Sequence, residues 1–228
     1  MVISERIAHG YFFAKHYIIS KGFGNEIDWQ DGLNYDQLTE QKIIHEFTWV
    51  ILASGMNDKV VRKIFPLVKK AMLNFESARK IHNHRDKCLY DAMKVLNHRG
   101  KIQAILSFIE YINVHSFSRV KNQIKINGID FIQTFSYMGK ATSYHFAKNI
   151  GLNVAKPDRH LIRIVNILGY DDPHTFCDEL ANQINEKASL IDLVLWRYAT
   201  LDKNYVETIS WFYEKTKSLP QHRASLSA

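Results

Sequence analysis

The sequence predicts an all-α protein, on three observations. Apolar residues recur with a 3.6-residue period over long stretches, and no alternating strand pattern lasts beyond a few residues. Only ten glycines and four prolines punctuate the 228 residues. At typical helix lengths this corresponds to about nine to eleven helices. No internal repeat, low-complexity tract or linker interrupts the pattern. Residues 1–220 therefore read as a single helical unit, either one large domain or two small lobes.

The elements follow in order. The N-terminal stretch MVISERIAHGYFFAKHYIISKG carries Glu5, His9, Lys15 and His16 through its apolar part, which argues against a signal peptide. Residues 36–54 are apolar on more than one side (Ile43, Ile44, Phe47, Trp49, Val50, Ile51, Leu52), as a central core helix would be, and Gly55 ends them. Asp58 reads as the N-cap of a basic helix in which Pro66 marks a kink or break. Ile102, Ile105, Leu106, Ile109 and Ile112 form one helical stripe. A helix from Ile129 to about Phe135 leads to a tight turn at Met138-Gly139-Lys140, where Gly139 can supply a positive φ, and a second helix runs from about Ala141 to Ile150. Pro157 stiffens the approach to Asp158. Leu161, Ile164, Val165 and Leu168 then make a stripe that Gly169 stops. Ile191, Val194, Leu195 and Tyr198 form another, and Tyr205, Ile209 and Phe212 a last one. The polar end, 221–228, reads as a frayed tail.

Composition excludes several classes. With 46% apolar and 23% charged residues the chain is not broadly disordered. Two cysteines, Cys88 and Cys177, build neither a disulfide framework nor a four-thiolate zinc or iron–sulfur site. The longest apolar runs are interrupted by polar residues, so no bilayer span is expected. The expected location is the cytoplasm of a prokaryote. His82, His84, Cys88 and His98 lack zinc spacing, and no metal or other cofactor is expected. The charge is more informative. The net +7 concentrates in 59–101, with twelve Lys/Arg against three acids, and in 139–163, with five against Asp158 alone. Basic residues gathered this way are the footprint of a polyanion partner, or of solvated helix faces.

Residues 131–169, FIQTFSYMGKATSYHFAKNIGLNVAKPDRHLIRIVNILG, carry the chemistry. The second helix of the turn presents the backbone N–H groups of its first turn, with Lys140 beside them, which suits a phosphate. The segment resembles the helix–hairpin–helix DNA glycosylases, the superfamily of endonuclease III, the adenine-mismatch glycosylase and the alkylbase glycosylases. Their pattern is L-P-G-[IV]-G-x-x-T-A, a helix, and a catalytic aspartate in a V-D-x-H-[VI]-x-R context. This chain has FSYMGKATS and then KPDRHLIRI, with Asp158, His160 and Arg163 in place. The likeness covers about residues 36–200, specific at 135–165 and loose elsewhere. Two departures stand out: Ser136-Tyr137-Met138 replaces P-G-[IV], so the first hairpin glycine is missing, and the cluster cysteines of endonuclease III are absent.

The resemblance implies a two-lobed helical glycosylase fold, with the hairpin at about 129–150. It also implies hydrolysis of the N-glycosidic bond of a damaged or modified base flipped out of duplex DNA. A hypermodified base in foreign DNA is included among the candidates. Asp158 would stabilise the sugar cation or activate water, and a monomer associated with the nucleoid is expected. Two registers differ over Lys140. Counted without gaps from Asp158, Lys140 falls on the nucleophilic lysine of glycosylase/lyases. Shifted by one, Gly139-Lys140-Ala141-Thr142 matches G-x-x-T, Lys140 becomes a phosphate contact and the enzyme is monofunctional. The second is favoured because a tight turn needs its glycine. Without catalysis, the hairpin would leave a DNA-binding module. The implied DNA contacts are Gly139, Lys140, Thr142, Lys156, Arg159 and His160. Met56 and Asn57 would form a wedge in the loop after the core helix, against the alternative of an ordinary inter-helix loop. Glu46, Trp49 and Trp196 would line the base pocket. The competing readings are plain core for the tryptophans, an exposed helix face for Glu46, and a simple helix N-cap for Asp158.

Overall fold

A computed structural model describes residues 5–217, so the tail expected to fray, 221–228, lies outside the described residues. Among the described residues there is no strand, and regular structure is helical throughout. In chain order the helices are α1 Glu5–Ser20, α2 Gly24–Asp31, α3 Glu40–Ala53, α4 Asp58–Ala71, α5 Ala78–Asn83, α6 Arg85–Val95, α7 Arg99–His115, α8 Phe117–Ile132, α9 Lys140–Asn149, α10 Arg159–Ile167, α11 Pro173–Ile184, α12 Ala188–Leu201 and α13 Tyr205–Lys217. Thirteen α-helices among the described residues exceed the nine to eleven expected, because short capped helices such as α5 carry too few turns to show a period. No described helix is long and apolar enough to cross a membrane.

The chain divides into two compact units. One joins its two ends, up to Gly32 and from Asn153 onward; the other is the continuous middle, Leu33–Leu152. In the first, α1 buries Tyr11, Ala14 and Ile18 in a core shared with Leu161, Ile164 and Val165 of α10 and Ile191, Val194, Leu195 and Tyr198 of α12. Tyr17 meets the Tyr198 ring edge-on at 5.3 Å. Arg197 of α12 makes a bidentate pair with Glu26 of α2 (2.8 and 2.5 Å).

In the middle unit α3 is the axis. Ile43, Ile44, Phe47, Val50, Ile51 and Leu52 have no exposed surface at all, as its all-round apolar pattern predicts. Phe47 stacks on Phe108 of α7 at 3.8 Å and takes Phe146 of α9 edge-on at 5.5 Å, so the helix after the hairpin is seated directly on α3. The core helix starts later than Asp36. Asp36 lies in a separate 3-10 turn, and α3 begins at Glu40 because Thr39 caps it, its hydroxyl accepting from Lys42 N at 3.2 Å. The cap of α4 is likewise Asn57 rather than Asp58: Asn57 Oδ1 accepts from Lys59 N at 2.9 Å, and Asp58 is the first helical residue. Pro66 does not divide α4, which runs through it.

Candidate functional site

The segment expected to form the hairpin lies in the middle unit, and it differs from expectation in its first arm, which ends at Ile132 rather than about Phe135, and in its turn. Gly128 (φ 52, ψ −128) breaks α8 just before Ile129, and the first arm continues as a helical turn to Ile132. The left-handed residue that follows is Tyr137, with φ 68, whereas Gly139 is extended (φ −71, ψ 178) and serves as the N-cap of α9. The positive φ assigned to Gly139 thus belongs to Tyr137, which stands where the resembled pattern has its first glycine. Between them Met138 is 2% exposed and pins the turn to the core. The Tyr137 ring lies edge-on to His98 at 6.1 Å, and a Cβ at Gly100 would come within 2.6 Å of its hydroxyl.

Gly139 offers no side chain to cap α9, and the first helical bond is Ser143 N to Gly139 O at 2.9 Å. The N–H groups of Lys140, Ala141 and Thr142 therefore have no carbonyl of their own helix. Gly139 and the exposed Lys140, at this helix start, border an open groove that Ile129, Asp130, Gln133, Met138 and Tyr144 also line. Partial positive charge from the helix and a full charge from Lys140 give this rim affinity for an anion, and Asp130 opposes it. Gln133 donates to Ser143 Oγ (3.2 Å), and Ser143 donates to Lys140 O (3.1 Å), tying the two arms together.

Glu46 is not on an exposed face. It is 3% exposed and accepts from Lys42 (2.6 Å), His45 (3.1 Å) and Asn149 Nδ2 (2.9 Å). Burial, the strongest influence, opposes its charge, but the hydrogen bonds and charges of His45 and Lys42 outweigh it and hold the carboxyl below its ordinary range. The carboxylate ties α3 to the last turn of α9. Trp49, half-buried, rests against Phe65 at 5.3 Å and under the Arg62 guanidinium at 5.5 Å. In the loop after α3, Met56 is half-buried and Asn57 is exposed, with its side chain engaged in the α4 cap. Lys101, 4% exposed, donates to Leu52 O at 2.9 Å and Ser54 O at 2.5 Å, closing the carbonyl end of α3 and bracing this loop. Burial lowers its pKa.

The basic stretches are less uniform than their composition. Lys101 and Lys148 are buried, so neither is a surface contact. Arg62 and Lys87 pair four residues along their helices with Asp58 and Asp91, and Lys80 of α5 pairs with Glu76, just before that helix. Among the described residues Lys59, Lys63, Lys70, Arg79 and Arg99 are exposed and make no ion pair.

The remaining predicted residues belong to the unit formed by the chain ends. Asp158 caps α10: its Oδ1 accepts from His160 N (2.9 Å) and Leu161 N (3.0 Å). The cap leaves Oδ2 outside its two bonds and sets the carboxylate on the positive end of a helix, so capping and chemistry are compatible roles for one side chain. His160 Nδ1 lies 3.3 Å from the Tyr205 hydroxyl; burial lowers its pKa, against the pull of Asp158. Arg159 is exposed, and Lys156 is half-buried with its backbone N–H donating to Asp192 Oδ2 at 3.2 Å. Trp196, half-buried, lies 4.6 Å from the Arg197 guanidinium, which also covers Phe23 at 4.5 Å. The predicted residues thus fall into two groups. Glu46, Trp49, Met56, Asn57, Gly139, Lys140 and Thr142 lie in the middle unit; Lys156, Asp158, Arg159, His160 and Trp196 lie in the other.

The sequence matches no protein-family model and no curated protein. Three residues of these regions were not singled out from the sequence: Tyr137 as the left-handed residue, Lys101 as a buried cap and Asp192 as a buried acid. Only the acid among the apolar residues of 190–195 carries a local signal.

Proposed function

We propose that the protein is a monofunctional DNA glycosylase, binding duplex DNA through a hairpin at about 129–150 and using the Asp158 carboxylate against the sugar cation that forms as a flipped base departs. The observation that carries the reading is the turn itself. A left-handed residue stands two positions before Gly139, an apolar residue between them is buried, and the following helix opens uncapped with Lys140 in its first turn. That conformation favours the G-x-x-T register, in which Lys140 contacts phosphate and Ala141 takes the nucleophile slot. Asp158, fixed on the N-terminus of α10, has the charge and the anchoring that stabilisation of a cationic transition state needs.

The test is base release from duplexes bearing alkylated, deaminated, oxidised or bulky modified bases, followed by hot alkali. Strand breaks that need alkali are expected. Asp158→Asn should abolish release, by about 10²-fold or more, while duplex binding is retained. Full activity in that variant would overturn the mechanism. Breaks without alkali would transfer the chemistry to Lys140 as a lyase nucleophile. Salt-sensitive binding without release of any base would leave a hairpin DNA-binding module.

A further inference from the structure

The stretch 153–158, which delivers Asp158, has no regular secondary structure, yet α12 holds it at two points. Lys187, the N-cap of α12, gives no side-chain cap; Asn153 Oδ1 supplies one from outside the helix, accepting from Ser189 N at 3.1 Å. One turn further along α12, Asp192 Oδ2 accepts from the backbone N–H of Lys156 at 3.2 Å. Asp192 is 1% exposed, and between the two anchors Ala155 has no exposed surface. From Lys156 onward the chain is stiff. Pro157 fixes one torsion, Asp158 N closes back on Lys156 O at 2.8 Å, and Asp158 Oδ1 is clamped by His160 N and Leu161 N.

A carboxylate in the apolar interior of α12 is costly, since an alkyl side chain of the same shape would pack without desolvation. Its position matches a task that an alkyl chain cannot perform, namely accepting the one peptide N–H that sets where the Pro157-Asp158 step begins. We propose that Asp192 is a positioning residue for the Asp158 carboxylate, acting through the Lys156 peptide. This rests on the glycosylase reading for its catalytic consequence. Displacement of a catalytic group by about 1 Å can cost about 10²-fold in rate, so slack at Lys156 passes directly into turnover.

The experiment combines single-turnover base release, duplex binding and residue-resolved amide exchange on the full chain. In the native protein the Lys156 amide should exchange slowly despite lying outside any helix; fast exchange would overturn the proposal without recourse to a variant. Asp192→Leu should release the Lys156 amide to fast exchange and lower the single-turnover rate at least tenfold, with duplex affinity changed less than twofold. Asp192→Asn keeps an acceptor oxygen and should restore both slow exchange and a rate within about threefold of native. An unchanged rate in Asp192→Leu, or an Asn variant as impaired as the Leu one, would overturn it. Native protein that releases no base from any duplex overturns the glycosylase reading instead, and the exchange pattern then decides the Asp192 anchor by itself.

Discussion

Glu46 is buried at 3% exposure, and its worth depends on partners. Its cationic partners Lys42 and His45 are about a third exposed and can turn to water, so Glu46→Ala should cost about 1–3 kcal/mol in urea denaturation, chiefly because the buried Asn149 amide loses its acceptor. Asn149→Ala, which removes one neutral donor, should cost about 1–3 kcal/mol. The pH dependence has a defined sign. The Glu46 carboxyl is held below its ordinary range in the folded protein, so its contribution is complete above that range and lost as pH falls through the depressed folded value. Glu46→Gln should therefore flatten the acid limb of the stability–pH profile; an unchanged limb would assign it to other carboxylates. Gly128 offers a different single-residue test. A Cβ there meets no atom within 4 Å, so the cost of Gly128→Ala, about 1–3 kcal/mol, would come from backbone conformation alone.

At the scale of elements, the hairpin is an arm seated on α3 by Phe146 against Phe47 and by Asn149 against Glu46, so its uncapped end is presented from a fixed base. The two kinds of lysine in the basic stretches should then separate by experiment. Lys140→Ala should weaken duplex binding and reduce the slope of log affinity against log salt by about 1. Lys101→Met should leave that slope unchanged and instead lower thermal stability, because Lys101 satisfies the carbonyl end of α3. A reduced slope in the Lys101 variant would show that burial does not keep this charge from DNA. The period-3.6 stripes of 102–112, 161–168 and 191–198 located α7, α10 and α12, since each helix buries one face or more along its whole length. Cap positions were legible less often. Asx and hydroxyl side chains at adjacent positions, such as Asn57 and Asp58, compete for one helix start, and local composition does not rank them.

At the scale of the whole chain, the unit of the chain ends depends on α1. Tyr11, Ala14 and Ile18 complete the core around α12, and Lys15 pairs with Glu186 at 2.6 Å. Deleting residues 1–22 should abolish cooperative unfolding of that unit, while the continuous middle, 33–152, should retain its helical circular dichroism and protease resistance when expressed alone. Loss of structure in the isolated middle would show that the division is not one of folding units. The sequence by itself determined the all-helical class, the core role of α3, the helix that follows Gly139 and the helix that Asp158 opens, because each is written in side chains a few residues apart. Only the tertiary structure decided that Glu46, Lys101 and Asp192 are buried and what each one holds. It also decided that Tyr137 rather than Gly139 takes the left-handed turn. These outcomes depend on partners 36–103 residues away or on the packing of Met138 beneath the turn, and local periodicity carries no information about partners so distant.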